Sequence, residues 1–165
     1  MDILTQPLRE EHKELIPHIE QILEVANSIP EAPVEQICDG VKKVHDFLAY
    51  HLIPHAQAED AALYPAVQRA LGSPEATRTM SRDHVEVGRY IEELAELCQA
   101  PSPEKFKALQ RVLYGLYALV KVHFAKEEEV YLPILEERLS PAEAKEMFKA
   151  MERAASQAKH AVRAN

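Results

Sequence analysis

The chain has 165 residues, with 4 glycines, no tryptophan and a formal net charge of −8 at pH 7. The length suits a single domain covering 1–165, and the acidic balance argues against a nucleic-acid partner, because nucleic-acid binding needs a basic surface. No segment predicts a membrane span or a secretory leader, and the two cysteines, Cys38 and Cys98, form no CxxC motif. We therefore expect a cytoplasmic protein whose thiols stay reduced.

Long segments rich in Leu, Ala, Glu and Lys predict an all-α fold. Four amphipathic helices are expected at about 7–27, 34–71, 75–99 and 104–139, separated by turns that contain proline or glycine. Ser140 and Pro141 then begin a shorter fifth helix to about residue 160, with Glu143 completing a capping box. Because the connections are short, we expect an up-down-up-down four-helix bundle over about 8–139 with an additional short C-terminal helix. That helix is expected to pack on the bundle as a lid, with a dimer face as the alternative.

Two stretches of the chain repeat one chemical pattern: a histidine, a carboxylate four residues later, and a proline ten residues after the histidine. They are His55, Glu59 and Pro65 in the second helix, and His123, Glu127 and Pro133 in the fourth. Residues four apart share a helix face, so each stretch presents an imidazole and a carboxylate together. His12 and His84 hold matching places in the first and third helices, each directly after an acidic residue, Glu11 or Asp83. The two halves therefore form a pseudo-repeat.

These titratable side chains fall on helix faces that the hydrophobic periodicity predicts to be buried. Buried carboxylates need compensating positive charge, and no lysine or arginine lies on these faces near the motifs. A pair of divalent cations would supply that charge, and two similar sets of imidazoles and carboxylates suit a dinuclear centre better than a single zinc site. The predicted metal ligands are His12, His51, His55, Glu59, His84, His123 and Glu127.

Other residues near the motifs have more than one interpretation. His51 lies one turn before His55 on the same predicted face. Three roles stay open for it: a metal ligand, a hydrogen-bond partner for the ring nitrogen of a ligating histidine that does not bind metal, or an ordinary core histidine. Asp60 and Glu128 directly follow the motif carboxylates but point off the core face, so we expect them to be solvated or to contact ligands. Tyr64 is expected to pack at the bundle surface, with a metal ligand as the alternative.

Helical periodicity also predicts which residues face the core near the C-terminal end of the fourth helix. At about 100° per residue, the apolar stripe of the fourth helix continues through Val130 and Ile134.

Pro17 and Pro54 lie inside helices. Each makes an ordinary kink there, or, as the alternative for Pro54, the proline bends the helix so that the His55 side chain points at the metal.

The motifs resemble those of the hemerythrin-like (HHE cation-binding) family. That family has a histidine on the first helix, HxxxE on the second, a histidine on the third and HxxxE on the fourth, and the run His-Ala-Gln-Ala-Glu-Asp-Ala-Ala-Leu-Tyr-Pro from His55 is typical of it. The resemblance covers roughly residues 8–139. It implies a four-helix bundle that holds two non-haem iron ions, oxo- or hydroxo-bridged, with Glu59 and Glu127 as bridging carboxylates. Dioxygen, peroxide or nitric oxide would then bind at an open position.

The chain departs from the oxygen-carrying members of this family at one position. Those members have a second histidine four residues after the first on the third helix, and here that position is Gly88. One iron would lose a protein ligand, and the glycine would leave space beside it, with His51 as the obvious substitute. Because an open site favours turnover, catalase-like peroxide consumption is a hypothesis beside reversible oxygen binding and nitric oxide handling.

Two other interpretations stay open at this stage. The chain is alternatively an iron- and oxygen-responsive sensor or interaction module, or a structural bundle that uses zinc or no metal. The sequence leaves open whether the metal is iron, zinc or manganese, and whether the protein is a monomer or a homodimer. It offers no separate nucleophile or general base, so whether the protein is an enzyme also stays open.

Overall fold

A computed structural model describes residues 3–29, 31–99 and 102–164 of the chain, and the regular structure in these ranges is entirely helical. There are five long helices: α1 Gln6–Ser28, α2 at 34–71, α3 Arg78–Cys98, α4 at 106–138 and α5 Pro141–Ala164. The all-α prediction is confirmed. Helix α5 is longer than predicted, with 24 residues against 23 in α1. In these ranges, no helix has both the length and the apolar character that crossing a membrane requires.

Two helix beginnings illustrate how local sequence sets the boundaries. Helix α5 begins with the predicted capping box, in which the Ser140 amide donates to Glu143 Oε2 at 2.8 Å and the Glu143 amide donates to Ser140 Oγ at 3.3 Å. Helix α3 begins three residues later than predicted. Thr77, which directly precedes it, is fully buried and its hydroxyl accepts a hydrogen bond from Gln68 at 2.7 Å.

The first four helices form a closed ring of neighbours. Helix α1 contacts α2, α2 contacts α3, α3 contacts α4, and α4 returns to α1. Short connections make successive helices antiparallel, so one face of each helix points to a common core. Helix α5 packs outside this ring against the middle of α2, at residues 53–63.

The core consists of two apolar clusters with a polar layer between them. The larger cluster is built from parts of all four ring helices: 15–29 of α1, 37–52 of α2, 87–94 of α3 and 109–124 of α4. The smaller cluster contains residues from the opposite ends of these helices and from α5: Leu8, 58–67, Met80, Leu132, Leu135, Met147 and Met151. Each ring helix therefore passes from one cluster to the other, and the predicted metal ligands lie at or near that crossing.

Three turns in α2 and α4 are π-helical: Leu48–Leu52, Glu59–Leu63 and Glu127–Tyr131. In each, the amide of the residue that directly follows the turn donates to the carbonyl oxygen five residues earlier. The residue after that donor is a proline, at positions 54, 65 and 133. Proline has no amide hydrogen and clashes with the carbonyl four residues before it, so the helix takes one extra residue there. Two of these turns begin at Glu59 and Glu127, so the motif prolines set the backbone geometry at both carboxylates.

Candidate metal centre

Six of the seven predicted ligands meet in the polar layer. They are His12 from α1, His55 and Glu59 from α2, His84 from α3, and His123 and Glu127 from α4. Five of them are no more than 4% exposed, and the side chain of His84 is 11% exposed. Imidazoles and carboxylates buried this deeply must find partners within the protein or bind a cation.

Their donor atoms form two groups that share one carboxylate. The donors of the first group all lie within 4.8 Å of one another, as do those of the second: His12, His55, Glu59 and Glu127 in the first, and Glu59, His84 and His123 in the second. Glu59 Oε1 is 2.8 Å from His55 Nε2, whereas Glu59 Oε2 is 3.3 Å from His84 Nε2. Because its two oxygens face different groups, Glu59 can bridge two cations.

Each of the four histidines also contacts a carboxylate through its outer ring nitrogen, Nδ1. The pairs are His12 with Glu128 at 2.6 Å, His55 with Glu11 at 3.1 Å, His84 with Asp60 at 2.8 Å and His123 with Asp83 at 3.1 Å. Three pairs are hydrogen bonds, and the His55 pair is a contact without hydrogen-bond geometry. A carboxylate that accepts from Nδ1–H keeps the proton there and turns the Nε2 lone pair towards the interior.

Inward-facing lone pairs repel one another unless positive charge lies between them. His84 Nε2 and His123 Nε2 are 3.0 Å apart, and His12 Nε2 is 3.6 Å from Glu127 Oε2. Two ligands at right angles on one ion, with bonds of about 2.1 Å, are about 3.0 Å apart. The separations in both groups therefore suit neighbouring ligands on a shared cation.

Several inner atoms of the first group are buried without a hydrogen-bond partner among the described residues. They are His12 Nε2, His55 Nε2, Glu127 Oε2 and both carboxylate oxygens of Glu59. An unpaired buried polar atom costs about 1–3 kcal/mol, so this many in one place call for a common partner. Imidazole nitrogens and carboxylate oxygens suit first-row transition metals. The residues present therefore fit a bound metal ion.

The electrostatics of the layer favour positive charge. Burial disfavours the charged imidazole of His84, but its contacts with Asp60 and Glu59 outweigh burial and raise its pKa to about 9. Burial also disfavours the charged imidazole of His55, but its contacts with Glu59 and Glu11 outweigh burial and raise its pKa well above its ordinary value. Burial opposes ionisation of Glu59 too, yet the surrounding histidines hold its pKa well below the usual range. In the metal-free protein, protons therefore supply the charge that a metal would bring.

Tyr64 lies inside this centre, so the expectation that it packs at the bundle surface is wrong, and the alternative of a metal ligand stays a prediction. Its side chain is 1% exposed. Its hydroxyl donates to Glu127 Oε1 at 2.7 Å and lies 3.1 Å from His123 Nε2 and 3.3 Å from His84 Nε2. Burial, reinforced by the nearby carboxylates, raises the pKa of Tyr64, so the phenol stays protonated in the metal-free protein. The hydroxyl oxygen is a further candidate donor for the second group.

His51 is the predicted ligand that the structure places elsewhere. It is exposed, and its ring stacks on Phe47 with the ring centroids 6.2 Å apart. The predicted face shared with His55 assumed a regular α-helix, whereas His51 lies within the π turn Leu48–Leu52. The extra residue in this turn changes the angle between the two side chains. His51 therefore belongs to neither donor group.

Sequence reasoning also gave no role to two carboxylates that touch ligands, Glu11 and Asp83. The signal was present, because each directly precedes a histidine of the pseudo-repeat. Each contacts the histidine of a different helix rather than its own neighbour in sequence. Recognising them would have required the positions of the neighbouring helices.

A small cavity adjoins both donor groups. Its volume is about 20 Å³, which is room for a molecule the size of one water or a diatomic. Its walls are four of the candidate ligands and five apolar side chains: His55, Glu59, His84, His123, Leu52, Ala56, Val87, Val120 and Phe124. A Cβ atom added at Gly88 would meet no atom within 4 Å, so the face of α3 one turn beyond His84 is open. A cavity of this size excludes larger organic molecules.

Comparison with known families agrees with the site geometry. The family model described as the hemerythrin HHE cation binding domain matches residues 4–135, which include both donor groups and leave α5 outside. The chain has no match among curated proteins or solved structures. The match covers most of the chain, and the predicted resemblance is confirmed. The chain therefore belongs to the hemerythrin HHE cation-binding domain family.

Proposed function

We propose that the chain holds two non-haem iron ions and binds a small ligand beside them, either dioxygen, peroxide or nitric oxide, with peroxide consumption as its activity. His12, His55, Glu59 and Glu127 would hold the first ion. Glu59, His84 and His123 would hold the second, with the Tyr64 hydroxyl oxygen as a further donor. Glu59 would bridge the two ions.

One observation carries the metal-binding part of this proposal. Buried inner atoms from α1, α2 and α4 converge and have no hydrogen-bond partner in the described part of the chain, and one carboxylate belongs to both donor groups. A structural bundle without metal would leave these atoms unpaired at a cost that apolar side chains of similar volume would avoid. The arrangement is better explained as a binding site than as a device for stability.

The cavity and the open face at Gly88 support a small ligand. Bound iron would supply the redox chemistry, which these side chains lack. The side chains of Leu52, Val120 and Phe124 would keep bulk water away from the ligand. Tyr64 would hold a proton on its hydroxyl, 2.7 Å from Glu127 Oε1. The second donor group has three members against four in the first, and this supports turnover over reversible carriage.

Metal content tests the first part of the proposal. Protein produced in iron-supplemented medium is expected to contain two iron ions per chain by elemental analysis, with the absorption of a ferric centre. His55→Ala and Glu127→Ala are expected to lose metal, whereas the matched control His160→Ala alters an exposed histidine and should keep both ions. Two ions retained in either of the first two variants would reject those ligands, and zinc in place of iron would support the structural-bundle alternative.

Peroxide consumption tests the second part. Hydrogen peroxide added to the iron-loaded protein should give one dioxygen for every two peroxides, measured with an oxygen electrode. The iron-depleted protein and a protein-free solution with the same iron concentration are the controls. A stable, reversible oxygen adduct in a protein that leaves peroxide untouched would contradict turnover and favour oxygen carriage.

A further inference from the structure

The four carboxylates that contact the outer histidine nitrogens follow a simple positional rule. Each is adjacent in sequence to a candidate metal ligand: Glu11 precedes His12, Asp83 precedes His84, Asp60 follows Glu59, and Glu128 follows Glu127. On α1 and α3 the carboxylate comes before the ligand, whereas on α2 and α4 it comes after. None of the four belongs to either donor group.

Helix geometry explains this alternation. Adjacent residues on an α-helix point about 100° apart, so a residue beside an inward-facing ligand points sideways, towards a neighbouring helix. Reversing the direction of a helix reverses this sense of rotation. The residue before a ligand on α1 or α3 therefore points the same way around the bundle axis as the residue after a ligand on α2 or α4.

The contacts follow that single rotational sense. Each carboxylate reaches the histidine of the next helix in the ring: Glu11 of α1 reaches His55 of α2, Asp60 of α2 reaches His84 of α3, Asp83 of α3 reaches His123 of α4, and Glu128 of α4 reaches His12 of α1. The ring closes on itself. Each helix thus contributes candidate metal ligands and also a carboxylate that contacts a candidate ligand of its neighbour.

We propose that Glu11, Asp60, Asp83 and Glu128 are positioning residues that together set the ring orientation and tautomer of all four metal-ligating histidines. The proposal rests on the metal centre proposed above and extends it to residues outside the ligand set. Asp60, Asp83 and Glu128 hydrogen-bond to Nδ1 and Glu11 contacts it at 3.1 Å, and in each case this leaves Nε2 free to bind metal. Removing one carboxylate should therefore weaken the ion held by the neighbouring helix.

The four carboxylates differ in how firmly they are held. Asp83 forms an ion pair with Lys126, and Glu128 forms one with Arg9. Their side chains are 19% and 29% exposed, against 39% for Asp60 and 49% for Glu11. We therefore expect the largest effects from Asp83, which acts on the second donor group through His123, and from Glu128, which acts on the first through His12.

Titration with Co²⁺, followed by its visible absorption and by competition with a chelator, measures each ion separately. Wild-type protein should bind two ions. Asp83→Ala should weaken one of them by about 10- to 100-fold, and Glu128→Ala should weaken the other by a similar factor. The double variant should bind both ions more weakly. Asp83→Asn keeps an acceptor oxygen, so it should lose less affinity than Asp83→Ala.

Glu93→Gln is the matched control, because Glu93 also lies on α3 and forms an ion pair with Arg111 of α4 but contacts no histidine. It should bind both cobalt ions as wild type does. A second measurement, ¹⁵N NMR of the histidine rings in the metal-free protein at a pH above their raised pKa values, where the rings are neutral, should show that the His123 tautomer changes in Asp83→Ala and not in Glu93→Gln. A purely structural role for Asp83 would not move that signal.

The outcomes separate the two proposals. If wild type binds two ions and the Asp83 and Glu128 variants bind them with unchanged affinity, the positioning role is wrong while the metal centre stands. Equal losses in Asp83→Ala and Glu93→Gln would also overturn the positioning role. If wild type binds no cobalt and no iron, the metal centre itself is wrong, and the positioning role falls with it.

Discussion

Raising the pH of the metal-free protein from 6.5 to 9 is expected to lower its unfolding free energy by about 3 kcal/mol. Despite burial, contacts with Asp60 and Glu59 raise the pKa of His84 from 6.5 to about 9 in the folded protein. A raised histidine pKa gives stability that is fully present below the unfolded-state pKa and is lost as the pH rises through the folded-state pKa. At about 1.4 kcal/mol per pKa unit the full change is about 3.5 kcal/mol, and most of it, about 3 kcal/mol, falls between pH 6.5 and 9. The raised pKa values of His55 and His123 act in the same direction.

Urea denaturation followed by far-ultraviolet circular dichroism, with a chelator present, measures this loss. His84→Gln should flatten the pH dependence, whereas His160→Gln, at an exposed position, should retain it. Metal-loaded protein should not lose stability over this pH range, because metal binding requires neutral imidazoles. The same unfolding free energy at pH 6.5 and pH 9, or an undiminished loss in His84→Gln, would refute this account of the polar layer.

Three substitutions, two of them paired with a contrasting variant, test other parts of the structure. Glu59→Ala should lose both metal ions because Glu59 belongs to both donor groups, whereas His84→Ala should keep the first ion, as measured by elemental analysis. Tyr64→Phe should lower the unfolding free energy of the metal-free protein by about 1.5–3 kcal/mol in urea denaturation, because it removes a buried hydrogen bond to a carboxylate. Gly88→Ala should raise that free energy by about 1 kcal/mol, since alanine favours the helix and its Cβ meets no atom. Gly115→Ala should give no such gain, because its Cβ would come within 2.7 Å of a tyrosine hydroxyl oxygen.

Each of these expectations has a contrary outcome. An ion retained in Glu59→Ala would mean that the groups do not share this carboxylate. Unchanged stability in Tyr64→Phe would mean that water replaces the lost hydroxyl. Equal effects of alanine at Gly88 and Gly115 would contradict the difference in free space around the two glycines.

The helices, and the convergence of six of the seven candidate ligands, were predictable from residue spacing because regular α-helical periodicity holds over most of the chain. Two of the residues wrongly expected on the core face lie within π turns, whereas a third, Ile16, lies in α1 and is 40% exposed. His51 lies in the turn Leu48–Leu52, and Val130 lies in the turn Glu127–Tyr131. Val130 was expected to be buried and is 48% exposed, whereas Leu132 and Leu135 carry the core onward. An angle of about 100° per residue does not describe a turn that contains an extra residue.

The same π geometry explains why Tyr64 was assigned to the bundle surface. Tyr64 follows Glu59 by five residues, and in a regular α-helix this separation rotates a side chain by about 140°. In the π turn Glu59–Leu63, five residues make little more than one turn, so Tyr64 lies nearly above Glu59 and faces the centre. The proline after each π turn was visible in the sequence. The carboxylate that contacts the Nδ1 atom of each histidine was not visible in the sequence, because it lies on another helix.

The division of the core into two apolar clusters has a consequence for how metal enters. We expect each cluster to hold its own end of the bundle together before an ion binds, which leaves the polar layer between them as the least stable part of the metal-free protein. In the metal-free protein, amide hydrogen exchange should therefore be fastest at mid-helix and slowest on either side. This pattern is the reverse of ordinary fraying, in which exchange is fastest at helix ends. Metal binding should slow exchange at mid-helix and so remove the difference.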